Sequence, residues 1–260
     1  MELIVLGSGS CIMDQTERAC ASYLLKYDGK SVLIDTGAGM TRKLSRIEES
    51  HQDIDAVVNT HRHPDHVSDL IPFIQNKLVE SIYYSENEED ITLYGPEGHS
   101  EYVESRIAYE MNESIDSLNE NNSFEIKVVE FSEGSVTNYP DLECIEAVHG
   151  GSEFPCYSLK FETDNYSIVF TGDTDFHDRL VDFCEGVDLL VADCSMPDDH
   201  KVEGHMTPSE CARISSSANV DKLVLSHLYP EADNIDLRSR VKADFEGEVV
   251  VAEDLKEISL

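Results

Sequence analysis

The sequence contains no hydrophobic run long enough to cross a membrane. No stretch approaches the roughly 18 to 20 apolar residues that a transmembrane helix needs. The opening residues 1–7 (MELIVLG) lack the basic segment and the long apolar core of a secretory signal peptide. We therefore expect a soluble protein that has no membrane partner.

Cysteine is present, but never in the spacing that defines a structural site. The seven cysteines are odd in number, scattered, and nowhere arranged as Cys-x-x-Cys. This usage argues against a disulfide scaffold and against a cysteine-type zinc site, and it is typical of a reducing compartment. We expect a cytoplasmic protein.

Basic residues are scarce. The chain has 19 Lys and Arg against 53 Asp and Glu, which gives a formal net charge of −34 at pH 7. At ordinary salt such a surface does not hold long nucleic acids, because that binding depends on Lys and Arg that neutralise phosphates and displace their counterions into solution. The simplest interpretation is a solvated acidic surface. A second hypothesis is adaptation to a salty cytoplasm, since the Debye length falls to about 3 Å at about 1 M salt.

The composition predicts one folded domain with a substantial core. Hydrophobic residues make up 40% of the 260 positions, too many for a disordered chain. No repeat, linker or break in composition divides the chain, so we expect residues 1–260 to form a single domain. Short apolar segments predict strands at 2–6, 21–27, 31–35, 54–58, 124–131, 142–148, 156–163, 166–171, 187–192, 222–226 and 247–252.

Segments with helical periodicity lie between groups of these strands. The 208–218 segment has the clearest start, because Thr207, Pro208 and Glu210 form a capping-box pattern. This order favours α/β sheets covered on one face over a single doubly wound sheet. The polar segment 112–123 predicts a surface loop. The predicted helices are 41–50, 66–79, 98–111, 176–184, 208–218 and 234–244.

The most informative segment is 60–66 (THRHPDH), directly after a predicted strand. His61, His63, Asp65 and His66 fall close together there, and packing alone hardly explains such a cluster. A chance match to the pattern anywhere in the chain is roughly one in a thousand. Imidazole and carboxylate are ligands that Zn²⁺ favours. The segment therefore predicts a metal site.

Three further candidates stand just past apolar segments downstream: His149, Asp173 and His227. Strand ends are the places where a sheet delivers side chains to a common edge. Each residue alone could be a surface or capping residue. Together they complete a first cluster that has too few ligands for two metals.

These residues resemble the motifs of the metallo-β-lactamase fold superfamily, over essentially the whole chain. The resemblance implies a four-layer αββα sandwich with a binuclear metal site along one edge. Its five motifs correspond to Asp35 in LIDTG, the cluster His61, His63, Asp65 and His66, then His149, Asp173 in FTGDT, and His227 in LSHL.

The resemblance also implies a role for each residue. Asp35 would order the metal-binding loop from behind the ligands. We expect two Zn²⁺ per chain, although a His/Asp site leaves Mn²⁺ and Fe²⁺ open as alternatives. The ligands would form two groups joined by a bridging carboxylate: His61, His63 and His149; Asp65, His66 and His227; and Asp173.

The chemistry of such a centre follows from its charge. Two Zn²⁺ together with Asp65, Asp173 and a hydroxide have a net charge of about +1, which attracts an anionic phosphodiester. Such a centre also lowers the pKa of bound water towards about 7. We expect Asp65 to orient that water as a base. Lactones, thioesters and lactams are attacked by the same kind of water, so the five motifs alone do not choose the substrate.

The segment 204–210 (GHMTPSE) narrows the choice. It resembles the His-x-Thr loop of the phosphodiesterase branch, which includes tRNase Z and its small relatives. The resemblance implies that His205 faces the scissile phosphate and assists the leaving group as a proton donor or a cation. Asp193 could orient that imidazole, and Tyr229 could line the substrate pocket. The alternative for His205 is a surface residue that merely precedes a capped helix.

Bacterial members of the tRNase Z type usually carry a long basic arm between the residues that correspond to His149 and Asp173, and this chain has no room for one. Only 24 positions of ordinary strand-turn-strand sequence separate His149 from Asp173. The overall likeness is to compact phosphodiesterases, including those that open cyclic mononucleotides, and it implies a homodimer. We predict a binuclear metal-dependent phosphodiesterase acting on a small nucleotide, in particular a cyclic mononucleotide. The alternatives are a tRNA 3′-processing endonuclease that lacks the arm and a non-catalytic interaction protein that keeps the fold.

Overall fold

The computed structural model describes residues 1–12, 16–47, 49–83, 89–136, 139, 141–151 and 154–260. In these residues two mixed β-sheets pack face to face. The strands are, in chain order, β1 (Glu2–Gly7), β2 (Ser22–Tyr27), β3 (Lys30–Ile34), β4 (Ala56–Val58), β5 (Ile91–Pro96), β6 (Ile126–Phe131), β7 (Gly134–Ser135), β8 (Leu142–Glu146), β9 (Tyr157–Glu162), β10 (Ser167–Phe170), β11 (Leu189–Asp193), β12 (Lys222–Ser226), β13 (Glu248–Val251) and β14 (Glu257–Ser259).

Helices lie on the outer face of each sheet. None of them, within the ranges just given, is long and apolar enough to cross a membrane. The helices are α1 (Met40–Leu44), α2 (Pro64–Val67), α3 (Leu70–Tyr83), α4 (His99–Met111), α5 (Ile115–Asn121), α6 (Asp178–Phe183), α7 (Pro208–Ser217) and α8 (Leu237–Lys242), with short 3-10 turns at His51–Asp53, Asp198–His200 and Ala232–Asn234.

Each sheet has seven strands, antiparallel at one side and parallel at the other. The first has the order β14-β1-β2-β3-β4-β5-β6, and its strands from β3 to β6 are parallel. The second has the order β13-β12-β11-β10-β9-β8-β7, and its strands from β10 to β13 are parallel. Parallel strands carry their carboxyl ends to one edge, so each sheet offers one edge for a site.

The strands are apolar on both faces because both faces of each sheet are covered. In β1, Leu3 and Val5 point into the core between the sheets. Ile4 and Leu6 of the same strand point outward, into a second core under α1, α3 and α4. A third core lies between the second sheet and the helices α6 to α8. This is the predicted αββα sandwich.

Most predicted strands and helices are present within a few residues of their expected bounds. The expectation of a loop at 112–123 was wrong, because α5 forms there. Ser114 caps that helix by accepting a hydrogen bond from the Ser117 backbone N (3.0 Å), and Leu118 is buried beneath it. A helix whose burial depends on so few apolar side chains has little periodicity for a sequence to display.

Three strands were not predicted: β5, β7 and β14. β5 lies inside the first sheet, but it follows an acidic run and ends at Gly95 and Pro96, which are residues typical of turns. β7 and β14 are edge strands of two and three residues. The predicted helix 66–79 is divided into α2 and α3.

Candidate metal centre

The loop that follows β4 carries four predicted site residues to the common edge of the sheets. His61 is fully buried there, and Asp65 and His66 lie in the single turn of α2. Asp35, just past β3, holds the loop by accepting hydrogen bonds from the backbone N (2.8 Å) and Oγ1 (2.9 Å) of Thr60. The backbone of Asp35 is in the left-handed region (φ 57°), a strained conformation of the kind that clusters at functional sites.

Three histidines form a first group of candidate ligands with one carboxylate. Nε2 of His61 lies 3.0 Å from Nδ1 of His63, and Nε2 of His149 lies 3.1 Å from the same atom. Oδ2 of Asp173 lies 3.7 Å from His61 Nε2 and 3.8 Å from His149 Nε2. All four ligand atoms fit within 4.8 Å of one another, a separation and a donor set that suit one divalent cation.

Asp65, His66 and His227 form a second group whose ligand atoms also lie within 4.8 Å of one another. Oδ2 of Asp65 is 3.4 Å from His227 Nε2 and 3.9 Å from His66 Nε2. His227 follows β12, and its backbone is in the left-handed region (φ 55°). The second sheet thus contributes to a cluster that the first sheet begins.

Asp173 lies between the two groups and turns one oxygen toward each. Its Oδ1 is 3.2 Å from His66 Nε2 and 3.4 Å from His227 Nε2. Its Oδ2 faces His61 and His149 of the first group. A carboxylate in this position can bridge two cations.

The charged groups of the cluster shift the pKa values of its histidines. Burial alone would lower the pKa of His66, but Asp173 and Asp35 raise it well above its usual value. Burial would lower the pKa of His227 too, yet Asp173 and other carboxylates raise it to about 10. Burial holds the pKa of His61 well below its usual value, and the neighbouring His66 lowers it further. The buried carboxylates therefore favour positive charge in this cluster.

The donor set fits a divalent metal at both groups. His66 Nε2 and Asp173 Oδ1 are buried, and no residue in the described part of the chain gives either atom a hydrogen bond. Buried polar atoms are normally paired, so two orphans that face each other indicate a missing partner. A cation that accepts both atoms as ligands satisfies them. Imidazole and carboxylate donors favour Zn²⁺, Mn²⁺ or Fe²⁺ over Ca²⁺ or Mg²⁺.

Hydrogen bonds behind the candidate ligands fix which ring nitrogen faces the cluster. His66 Nδ1 donates to Asp35 Oδ2 at 2.7 Å, which turns Nε2 toward Asp173. His149 Nδ1 donates to the carbonyl of Gly204 at 2.9 Å, which turns its Nε2 toward His63. Partners of this kind orient metal-binding imidazoles and raise their basicity.

His205 stands beside the cluster with its own acidic partner. Its Nδ1 is 2.9 Å from Asp193 Oδ2, and burial of this pair is nearly complete. Burial would lower the pKa of His205, but the hydrogen bond that its Nδ1 donates to Asp193 raises it. The His205 ring lies 4.8 Å from the ring of His149 and 5.4 Å from that of His227. It therefore adjoins one ligand from each group.

Tyr229 lies close to both His205 and His227. Its ring centre is 5.9 Å from the rings of both His205 and His227, and its hydroxyl is 3.6 Å from Sγ of the exposed Cys11.

A cavity of about 800 Å³ opens beside His149, between Phe154 and the start of α6. The cluster thus borders open space large enough for a small ligand.

The sequence did not single out three residues that hold the site. Ser195 Oγ donates to Asp193 Oδ1 (2.5 Å) and lies 3.2 Å from His205 Nδ1 and 3.0 Å from His227 Nδ1. Phe154 stacks on the ring of His63 at 4.5 Å. Gly204 receives the His149 hydrogen bond. Ser195 lies two positions after Asp193 and Gly204 directly before His205, but this proximity does not predict their contacts.

Comparison with known proteins places the chain in a family. Residues 30–228 match the model of the beta-lactamase superfamily domain, and the chain belongs to that superfamily. With clustered His and Asp side chains that could bind metal, it is a metal-dependent hydrolase of the metallo-β-lactamase fold.

Particular relatives cover most or all of the chain. "Probable metallo-hydrolase YhfI" of Bacillus subtilis (strain 168) is 26% identical over 244 residues, which is 90% of each protein, and the crystal structure of YhfI superposes with a TM-score of 0.81 over 99% of both chains. Ribonuclease Z of Nocardia farcinica (strain IFM 10152) is 26% identical over all of this chain and 97% of its own. A diphosphatase from the PhnP family, 20% identical, superposes with a TM-score of 0.71 over 100% of this chain and 97% of its own.

Proposed function

We propose that this protein is a two-metal phosphodiesterase that hydrolyses a small nucleotide phosphodiester, in particular a cyclic mononucleotide. The observation that carries the proposal is the buried His205–Asp193 pair beside both groups of candidate ligands. A hydrolase that only activates water has no use for a second, separately paired imidazole at this position. The alkoxide leaving group of a phosphodiester needs such an imidazole, because the alkoxide must take up a proton.

The proposed metal ligands are the seven residues whose donor atoms converge. Two divalent cations bound there would supply a nucleophile from water at neutral pH and stabilise charge on the phosphoryl oxygens. Asp35 would keep His66 in the ligating tautomer. The proposed ligands are His61, His63 and His149 for one cation, Asp65, His66 and His227 for the other, and Asp173 for both.

The protein's own residues would divide the remaining tasks. Asp65 belongs to the second group and lies 3.4 Å from His227, and we assign it the additional role of base toward the attacking water. His205, whose pKa the hydrogen bond to Asp193 raises, would donate its Nε2 proton to the leaving oxygen. Tyr229 would pack against the base or sugar. These roles need a substrate that reaches only a short distance from the cluster.

Two features favour a small substrate. The net charge of −34 opposes long polyanions. Between His149 and Asp173 the described residues form the adjacent strands β9 and β10, so the interval is filled by the sheet itself. The similar diphosphatase of the PhnP family is named for a reaction at phosphorus, which agrees with the proposed chemistry.

A tRNA 3′-processing endonuclease is the second candidate, since Ribonuclease Z of Nocardia farcinica aligns with the whole chain. It would have to hold RNA without a basic arm. A non-catalytic interaction protein is a third candidate. The homodimer, the single domain over 1–260 and the cytoplasmic location stay predictions, and light scattering of the purified protein tests the first.

The decisive experiment assays zinc-loaded protein at low and high salt on cyclic mononucleotides and on a 3′-extended pre-tRNA. We expect cyclic-nucleotide opening to be abolished in His61→Ala. In His205→Ala we expect a loss of about 10²- to 10⁴-fold with zinc content unchanged. The exposed His200→Ala is the matched control, because it removes an imidazole five positions from His205.

Other outcomes separate the candidates. Cleavage of pre-tRNA alone would establish the endonuclease. Less than about one zinc per chain together with no hydrolysis of either substrate would support the interaction protein. Full activity of His205→Ala would remove the leaving-group role and with it the main argument for a phosphodiesterase.

A further inference from the structure

We propose that Lys201 is a positioning residue that holds His205 and His149 in place through one network of hydrogen bonds. This inference rests on the proposed function, because the catalytic role of His205 is part of that proposal. It concerns how the chain keeps two imidazoles aligned that come from different parts of the sequence, 56 positions apart. Lys201 itself would not touch the substrate.

The ammonium group of Lys201 meets three acceptors. Its Nζ lies 2.6 Å from the carbonyl of His205, 2.7 Å from Asp175 Oδ1 and 2.5 Å from Glu210 Oε2. An ammonium has three protons and no acceptor, so these contacts saturate it. Its side chain is still 31% exposed. A surface lysine that is satisfied at every proton is fixed in position rather than free to sample solvent.

Asp175 carries the network from Lys201 to the turn that precedes His205. Its second oxygen accepts a hydrogen bond from the Gly204 backbone N at 3.1 Å. The Asp175 backbone N in turn donates to the carbonyl of Val148 at 3.0 Å. Asp175 therefore binds the Gly204 backbone N and Lys201 binds the His205 carbonyl, on the two sides of the peptide group that joins Gly204 to His205.

Gly204 extends the same network to His149. Its carbonyl accepts the Nδ1 proton of His149 at 2.9 Å. A shift of the Gly204 backbone would break this hydrogen bond, and the His149 ring could then turn its Nε2 away from His63. The backbone that sets the position of His205 thus also sets the tautomer and orientation of a candidate metal ligand.

Glu210 connects the network to α7. It accepts the Thr207 backbone N at 2.9 Å as part of the capping of that helix, and the same oxygen meets Lys201. Glu210 therefore binds both ends of the segment 201–207, Lys201 at its start and Thr207 at its end. His205 lies inside this segment, while Asp193 holds its ring from the β11 side.

The charge of the chain explains why a lysine is needed. Without the ammonium, the carboxylates of Asp175 and Glu210 would face the same space with no cation between them. The His205 carbonyl would lose its donor as well. Exposed ion pairs contribute little to the free energy of unfolding, typically less than about 1 kcal/mol. We therefore expect removal of Lys201 to affect positions in the site more than the stability of the fold.

The test uses Lys201→Met, Lys201→Arg and the control Lys30→Met in the zinc-loaded protein. Lys30 also forms one short ion pair, with Asp141 at 2.6 Å, but it lies at the opposite end of β3 from Asp35. With bis(4-nitrophenyl) phosphate as substrate, we expect Lys201→Met to lower kcat about tenfold or more with little change in KM. Misplacement of a catalytic group by about 1 Å can cost as much as 10²-fold. Lys30→Met should match the parent protein, and Lys201→Arg should recover much of the loss.

A double-mutant cycle with His205→Ala shows whether Lys201 acts through that residue. In the His205→Ala background, Lys201→Met should have a clearly smaller effect on kcat than in the parent protein, since groups that act as a unit are not additive. An equal effect in both backgrounds would overturn the proposed action through His205.

A second readout does not depend on the reaction. In metal-free protein with ¹⁵N-labelled histidine, the Nδ1 protons of His149 and His205 should be visible and slow to exchange with water. We expect Lys201→Met to speed that exchange at least tenfold and Lys30→Met to leave it unchanged. Unchanged exchange and unchanged kcat in Lys201→Met would refute the proposal. Absence of phosphodiesterase activity in the parent protein would instead refute the proposed function and leave the exchange experiment decisive for Lys201.

Discussion

Nε2 of His66 lies 3.2 Å from Oδ1 of Asp173, and neither atom has a hydrogen-bond partner in the residues that the structure covers. The two atoms come from different sheets, one from the turn after β4 and the other from the end of β10. The fold therefore brings an imidazole nitrogen and a carboxylate oxygen together without giving either a hydrogen bond. Behind them, Asp35 fixes the His66 ring by a 2.7 Å hydrogen bond.

Asp35→Asn should weaken zinc binding about 10- to 100-fold, the usual cost of losing a carboxylate that supports a ligating histidine. The amide cannot both hold Thr60 and favour the His66 tautomer with a free Nε2. Competition with a chromogenic chelator measures the change. Asp55→Asn is the matched control, because Asp55 accepts the Ser31 backbone N (2.6 Å) at the other end of β3. Equal zinc affinity in Asp35→Asn and the parent would contradict the assigned role.

Gly204→Ala should damage the site through His149. Gly204 has a φ of 83°, and an added Cβ would lie 3.0 Å from His149 Nδ1. Gly186 is the control, because its φ of 66° is also left-handed while nothing lies within 4 Å of an added Cβ. Both alanine variants carry a backbone cost of about 1–2 kcal/mol, so both should melt earlier. Only Gly204→Ala should also lose zinc affinity and activity, and equal losses in the two would show that His149 is not involved.

Much of the centre could be predicted because its residues are clustered or stand directly after apolar strands. The segment 60–66 carries four of them, and His149, Asp173 and His227 each follow a recognisable strand. The structure places their donor atoms in two groups within 4.8 Å. Parallel strands deliver their ends to one edge, so a sequence that marks strand ends also marks the site.

Residues whose role depends on contacts between distant parts of the chain could not be predicted in this way. Gly204 contributes a carbonyl, and Ser195 contributes a hydroxyl whose value depends on the positions of Asp193, His205 and His227. Such contacts depend on tertiary geometry that no local pattern encodes. The same reason applies to β5, whose Gly95 and Pro96 resemble a turn until its neighbours in the sheet supply the pairing.

His99 should make the protein lose stability as the pH falls. Its ring is fully buried, and burial, with Arg62 nearby, lowers its pKa to about 4 despite the opposing effect of Glu130. The unfolded chain therefore binds this proton first. The contribution is complete above about pH 6.5 and is lost as the pH falls toward 4, and the shift corresponds to about 3 kcal/mol.

Urea unfolding across this pH range checks the effect. His99→Leu cannot be protonated, so the free energy of unfolding should fall less steeply between pH 6.5 and 4 than in the parent protein. His200→Leu, at an exposed position, should keep the parent slope. If His99→Leu and the parent protein show the same slope, His99 is not held neutral in the folded state.

The surface charge predicts that salt stabilises the protein. With 53 acidic and 19 basic residues, repulsion between like charges destabilises the compact state, and salt screens that repulsion. We expect the melting temperature to rise as KCl increases. If the rise ends by a few tenths molar, screening of an ordinary acidic surface accounts for it, because the Debye length is already about 10 Å at 0.1 M. A continued rise into molar KCl would support adaptation to a salty cytoplasm. A melting temperature that is equal at low and molar KCl, measured beside an equimolar sucrose control, would exclude that hypothesis.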